Sequence, residues 1–313
     1  MVEAVVAGHI CLDIIPTFYG DVAIEPGKLV RTGPAALSTG GAVSNTGRAL
    51  ARLGVATRLM GKVGDDLFGR AVLDLVGEHA EGMVVTPGES TSYTVVINLS
   101  GKDRTFLHAP GCNDTFVATD VPAAALADAR LFHFGYPTLM ARMFENEGEE
   151  LVSLMKLAKG LGVVTSLDMS LPDADSPGGR ADWKRILERA LPFVDIFLPS
   201  HDELSFMLGA LDPERLALEC LDMGAKTAGV KLGSAGIYVR TAVEEVRMPA
   251  LSVEVRGTTG AGDATIAGFL AGFLRGKDLV TCARWAVTMG ALCCEHADAT
   301  SGHPTMEELL RRL

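Results

Sequence analysis

Six consecutive residues, Thr258-Thr259-Gly260-Ala261-Gly262-Asp263, join a glycine-rich turn to one carboxylate and run directly into the small, apolar stretch 264–273. Glycine and alanine at a helix start leave main-chain N–H groups open to a close-approaching anion, and the helix dipole favours negative charge there. With an acid set beside those groups, the arrangement suits phosphoryl transfer. Taken alone, the same residues also fit a tight turn in which Asp263 caps a helix.

Other residues of chemical interest fall at expected strand or helix ends. Asp13 follows an apolar first strand, where an acid can accept hydrogen bonds from ligand hydroxyls, because ligands of α/β sheets bind at the carboxyl ends of strands; an ordinary loop acid is the plainer alternative. Gly40 and Gly41 open a helix, so a ligand can touch backbone there, and Asn45 adds a donor and an acceptor one turn in. Lys231 ends a buried strand and requires an anionic partner or a route to solvent. Asp168 and the run 199–203 also lie just past strand ends. Ser200, His201 and Asp202 are contiguous, but a nucleophilic triad is a matter of spatial geometry rather than adjacency. Cys293, Cys294 and His296 match no zinc spacing and read as core thiols with a helix-end histidine.

The elements that must position these residues read as follows. Residues 2–7 form a buried strand that continues through 8–13. Residues 16–38 are too rich in Gly and Pro for a helix and suit short irregular strands. Residues 92–99 and 104–108 are β-rich and joined by a hairpin turn at 100–103, so these regions can pair into a small sheet. A helix runs from the Gly40-Gly41 turn to Gly54, a strand covers 58–63, and Asp65 or Asp66 caps the next helix. From residue 131 the alternation is regular: strands at 131–134, 163–168, 194–198 and 227–233, the last entering a turn that includes Gly236, with helices at 140–159, 183–190 and 214–223. That order predicts a mostly parallel sheet with helices on both faces. An antiparallel edge at 237–240 and 245–248 precedes three closing helices.

The totals set limits. With 313 residues and 48% hydrophobic content, a substantial core is available. A formal net charge of -11, without a basic block, argues against a nucleic-acid partner. No apolar run reaches the roughly 18 residues of a membrane span, the N-terminus lacks a positive leader region, and six cysteines without framework spacing fit reduced thiols, so the expected location is the cytoplasm. No G-x-G-x-x-G follows the first strand, and Gly276-Lys277-Asp278 is only a near miss for a Walker A loop.

In order and content, these motifs resemble the PfkB/ribokinase family of sugar and nucleoside kinases over essentially the whole chain. Gly40-Gly41-Ala42-Val43-Ser44-Asn45 with Arg52-Leu53-Gly54 is similar to the N-terminal signature, and residues 258–263 to the C-terminal one. The resemblance implies a single ribokinase-like α/β domain over 1–313: a three-layer αβα body with a mostly parallel central sheet, and a small β-sheet lid from about 14–38 and 89–110. It implies Asp263 as the catalytic base, and Gly260, Ala261 and Gly262 as the anion hole. Asp13, Gly40, Gly41, Asn45 and Asn113 would bind the sugar. Lys231, Gly233, Gly236 and Thr258 would touch ATP, and Glu203 would hold Mg2+ through water. A homodimer through the lid is implied as well. Three positions depart from the family pattern. Ser200 replaces an Asn of an Asn-x-x-Glu motif. Gly257 replaces an acid, which weakens the case for an activating monovalent cation. Asp168-Met169-Ser170 lacks the Asn and Arg that often follow this Asp. The expected activity is ATP- and Mg2+-dependent phosphorylation of a primary hydroxyl on a small sugar or sugar-like substrate. Alternatives are a nucleoside kinase, with Phe18, Tyr19, Phe106 or Tyr136 as a base shelf, and a non-catalytic sensor on the same scaffold.

Overall fold

The computed structural model describes residues 2–20, 22–99, 104–296, 299 and 302–313. The chain begins with β1 (Ala4–Gly8), β2 (Cys11–Pro16), β3 (Ala35–Gly40), α1 (Ala42–Arg52), β4 (Thr57–Met60), β5 (Lys62–Gly64), α2 (Leu67–Val76), β6 (Val84–Thr86), β7 (Tyr93–Ile97) and β8 (Thr105–Ala109). It continues with α3 (Ala123–Leu126), β9 (Leu131–Gly135), α4 (Ala141–Gly160), β10 (Val164–Asp168), α5 (Trp183–Ala190), β11 (Ile196–Phe197), α6 (His201–Leu208) and α7 (Pro213–Asp222). The last elements are β12 (Thr227–Lys231), β13 (Ile237–Thr241), β14 (Glu245–Met248), α8 (Ala261–Leu274), α9 (Leu279–Cys294) and α10 (Met306–Arg311).

Eight strands form the central sheet in the order β14-β13-β12-β11-β10-β9-β1-β4, parallel except at the β12-β13-β14 edge. Every residue of β1 and β9 is buried, as strands covered on both faces must be. One face carries α1, α8 and α9 over Val6, Leu59 and Ile196; the other carries α4, α5 and α7 over Phe132, Phe134 and Phe197. This is the expected three-layer α/β body.

A separate four-stranded sheet has the order β3-β2-β7-β8. Its register aligns Ser38, Asp13, Thr94 and His108 in one row across the four strands, and Leu37, Ile14, Val95 and Leu107 in the next. Successive residues of a strand point to opposite faces, so one face of this sheet is polar along that row and the other apolar. The turn expected at 100–103 lies outside the described residues.

Several expectations are corrected. Gly8, at φ 123, ends β1, and the chain re-forms as β2 in the other sheet rather than continuing as one strand. The single strand expected over 58–63 divides at Gly61 into β4 and β5, which belong to different sheets. Helix α4 is broken over residues 145–148, where Asn146, Glu147 and Gly148 have positive φ. Helix α6 is an additional element, opened by a capping box of Ser200 and Glu203 that the Ser-x-x-Glu spacing already encodes.

Helices α8 and α9 pack through glycines. A Cβ on Gly268 would lie 2.5 Å from the Trp285 carbonyl oxygen, and one on Gly272 would lie 3.1 Å from Cys282 Sγ. The two backbones therefore approach more closely than any larger side chain allows.

Candidate active site

Asp263 lies in the first turn of α8, 2% exposed. Its Oδ2 accepts from Asn45 Nδ2 at 3.1 Å and from the Tyr136 hydroxyl at 2.7 Å; its Oδ1 accepts from Thr46 Oγ1 at 3.0 Å. Asn45 and Thr46 are the fourth and fifth residues of α1, so the N-terminal parts of two helices meet at this carboxylate. Neither has a side-chain cap: Gly41, at φ 86, precedes α1, and Gly260, at φ 76, precedes α8. Both glycines adopt conformations that other residues rarely hold, and both helix ends keep their positive poles open.

On one side of Asp263 a cavity of about 1090 Å3 is lined by Glu203, Lys231, Gly233, Thr258, Ala261 and Gly262, among others. Gly236 also borders it. A Cβ on Gly233 would meet no atom within 4 Å, so that turn faces open space. Lys231 Nζ would be 3.4 Å from a Cβ on Gly262, which places the ammonium beside the first turn of α8. The anion that Lys231 requires is Asp168, whose Oδ1 and Oδ2 lie at 2.9 and 3.1 Å. Burial pushes the Asp168 carboxyl upward against the pull of Lys231. Burial pulls Lys231 down, yet Asp168 and Glu203 together hold it above its ordinary value.

Ser200 Oγ accepts from the Glu203 N–H at 3.2 Å while Glu203 Oε2 accepts from the Ser200 N–H at 2.6 Å. The serine that departs from the family pattern thus has a local role as the cap of α6. Mg2+ takes oxygen ligands and keeps several waters, bound through one or two carboxylates and phosphate. The carboxylate of Glu203, on the cavity wall, is a donor of that kind, whereas both oxygens of Asp168 are held by Lys231, and among the described residues no three acidic, histidine or cysteine side chains converge as a protein cage. This donor set fits a magnesium ion brought in on phosphate.

On the other side, Asp13 sits in the polar row of the small sheet. Burial pushes its carboxyl up to about 6, against hydrogen bonds from Cys11 and Thr94. A Cβ on Gly40 would lie 2.5 Å from Asp13 Oδ2, so glycine leaves the room this carboxylate occupies. His108 Nδ1 bonds Thr94 Oγ1 at 3.0 Å, and its Nε2 meets His9 Nε2 at 3.3 Å. Burial lowers both imidazoles below their ordinary value, His9 most strongly, which keeps them neutral. His9 Nδ1 and Asn45 Oδ1 are buried without a hydrogen-bond partner. Such atoms are costly unless something else satisfies them.

Asn113 does not join this group. It is fully buried, and its amide is spent on Ile10, donating to the carbonyl at 2.9 Å and accepting from the N–H at 3.4 Å. Of the proposed aromatic shelf, Tyr19 and Phe106 are exposed and Tyr136 is engaged with Asp263. Cys293 is buried, with Sγ against the Thr259 carbonyl, as a core thiol.

Sequence reasoning missed Thr46 and Arg104, gave Tyr136 only as a possible base shelf, and placed Asp168 at a strand end without its partner. Asp168 was the most accessible of them, since a buried lysine at one strand end calls for an acid at a neighbouring strand end. Arg104 donates to Thr258 Oγ1 at 3.2 Å and so connects the small sheet to the α8 loop. Nothing in local spacing signals that contact.

An uncapped helix N-terminus, a buried carboxylate within it, a lysine beside it and a polar sheet opposite thus come together on a ribokinase-like fold. The model of the pfkB family of carbohydrate kinases matches residues 1–306, and the chain belongs to that family. It is therefore a phosphotransferase, a sugar or nucleoside kinase. An uncharacterized sugar kinase of Archaeoglobus fulgidus is 35% identical over 81% of this chain and 97% of its own length. A nucleoside kinase of Methanothermobacter thermautotrophicus is 27% identical over 99% of this chain and 95% of its own. Among solved structures, an Arabidopsis thaliana ribokinase complexed with ribose and ATP superimposes with a TM-score of 0.82 at 22% identity, covering 100% of this chain and 99% of that one. A putative ribokinase II of Escherichia coli, in complex with ATP and Mg2+, is similar at a TM-score of 0.82 and 24% identity, covering 100% of this chain and 99% of that one.

Proposed function

We propose that the chain transfers the γ-phosphoryl group of ATP to a primary hydroxyl of a small, uncharged sugar or sugar-like polyol. One observation carries this reading: Asp263 stands at the uncapped start of α8, next to Gly262 of the cavity beside Lys231, and bonds Tyr136, whose ring lies by His9 and so by His108 of the polar row that holds Asp13. The triphosphate occupies the cavity, against Lys231, Gly233, Gly236 and Thr258. The sugar lies against Asp13, Gly40, Gly41 and Asn45, whose Oδ1 accepts one of its hydroxyls. Asp263 takes the proton of the attacking hydroxyl as its oxygen forms the new P–O bond and the bond from Pγ to the bridging oxygen of ADP breaks. Main-chain amides of Gly260, Ala261 and Gly262 meet the charge on the transferred group. A bound Mg2+, held near Glu203 through water, would supply charge neutralisation to the phosphates.

Asp13 opposes a carboxylated sugar, which favours an uncharged acceptor. The small sheet acts as the lid and excludes water that would otherwise be phosphorylated. Its apolar row supports pairing of two copies through the lid, since Leu37 and Leu107 are 52% and 54% exposed. Free thiols fit a cytoplasmic setting. Among the described residues, no helix is long and apolar enough to cross a membrane.

The test is ATP consumption with pentoses, hexoses, polyols, keto-deoxy sugar acids and nucleosides, run on the wild type and on Asp263→Asn. A general base is worth about 10²- to 10⁴-fold in rate, so the variant loses turnover by that factor while ATP binding persists. Wild-type-like turnover in Asp263→Asn, or a sugar acid as the best acceptor, contradicts the reading.

A further inference from the structure

Tyr136 follows directly on the end of β9 in a left-handed conformation, φ 67 and ψ 44. That region costs a residue with a side chain on the order of 1–2 kcal/mol. The next residue is Pro137, and a residue before proline favours extended backbone, so the sequence makes this conformation harder rather than easier. The surroundings impose it: Tyr136 N–H donates to the Asp168 carbonyl at 3.2 Å, and its own carbonyl accepts from Leu139 N–H at 3.0 Å. The result is to turn the ring back over the strand end, beside His9 at 6.0 Å between centroids, with the hydroxyl on Asp263.

A carboxylate oxygen has two in-plane acceptor positions. Asp263 Oδ2 has both filled, by Asn45 and Tyr136, whereas Oδ1 has one filled, by Thr46. The position left is on Oδ1. Burial and the neighbouring Asp263 push the Tyr136 phenol well above its ordinary value, so it remains a donor.

Resting on Asp263 as the base, we propose that Tyr136 is a positioning residue: its hydroxyl fixes Oδ2 so that Oδ1 alone is presented to the acceptor hydroxyl. Without the Tyr136 hydroxyl, Oδ2 keeps only Asn45 and Oδ1 only Thr46, so one acceptor position is open on each oxygen and the acceptor hydroxyl can take either. A charge-assisted hydrogen bond of this kind is worth roughly 10- to 100-fold.

The experiment compares wild type, Tyr136→Phe and Asp263→Asn in steady-state kinetics with ATP and the acceptor that gives the highest turnover. Tyr136→Phe keeps the ring and its packing. Its kcat is expected to fall about 10- to 100-fold while KM for ATP and for acceptor stays within about twofold. An unchanged or higher kcat, or a loss confined to KM, overturns the proposal, the former meaning that the phenol merely occupies the place of a substrate hydroxyl. Should Asp263→Asn keep full turnover, the base assignment itself fails, and the positioning role with it. Thermal unfolding of Tyr136→Phe close to that of wild type assigns the kinetic loss to Asp263 rather than to misfolding.

Discussion

The ammonium of Lys231 spans both carboxylate oxygens of Asp168, and both residues are buried, one at the end of β12 and the other at the end of β10. Two strands separated by β11 are thereby tied at the edge of the cavity. Removing one partner leaves an uncompensated charge, which costs about 3–5 kcal/mol, whereas replacing both with apolar residues is often nearly neutral. Lys231→Met is therefore expected to lower stability by that amount, and Lys231→Met/Asp168→Leu to recover most of it without recovering turnover. Denaturant unfolding and ATP turnover on the same samples check this. A double variant as unstable as the single one contradicts it.

Asp13 yields a pH dependence. Its carboxyl is raised in the folded state, to about 6, so between its ordinary value and 6 the folded protein holds a proton that the unfolded chain has released. Stability from this group is present at low pH and is lost as pH rises through about 6. Sugar binding runs the other way, because the ionised form accepts hydroxyls. KM for the acceptor is expected to rise as pH falls below about 6 while KM for ATP stays level. At pH 8, Asp13→Asn should weaken acceptor binding and raise the melting temperature together; unchanged acceptor binding would place Asp13 outside the binding face.

Gly41 offers a backbone test. At φ 86 an added Cβ is strained, and it would also meet the His9 carbonyl and imidazole. Gly41→Ala is expected to cost about 1–3 kcal/mol and to displace the start of α1, which carries Asn45 and Thr46 to Asp263. Turnover should fall by more than the unfolded fraction accounts for, measured as kcat per folded molecule. Full activity per folded molecule would show that α1 tolerates the shift.

Pairing of two copies through the apolar row is checked by sedimentation. Wild type should run as a dimer and Leu107→Asp as a monomer. A monomeric wild type at micromolar concentration removes the proposal.

Much of this was legible in the chain because it is local. The glycine turns at 40–41 and 260–262, the capping of α2 by Asp66, and the alternation from residue 131 onward each follow from neighbours in sequence. What escaped depends on distance along the chain. Tyr136 and Asp263 are 127 positions apart, Lys231 and Asp168 63, and Arg104 and Thr258 154. Asn113 looked like a ligand contact because its neighbourhood resembles one, but the backbone of Ile10, 103 positions away, claims both ends of its amide. The break at Gly8 was also hidden, since residues 4–12 are all buried across the two sheets and only Gly8 and His9 interrupt their apolar run.

The glycine contacts between α8 and α9 bear on tolerance to change. Gly268 is roughly 12 Å along the helix axis from Gly260, at 1.5 Å per residue, and does not line the cavity beside Lys231. Yet a methyl group there has no room against the Trp285 carbonyl and can be admitted only by moving α8 as a body. An ångström of misplacement at a reacting centre can cost about a hundredfold in rate. The back of the molecule therefore sets the aim of the front, and a mutational survey scored by activity alone would mark Gly268 as though it belonged to the chemistry.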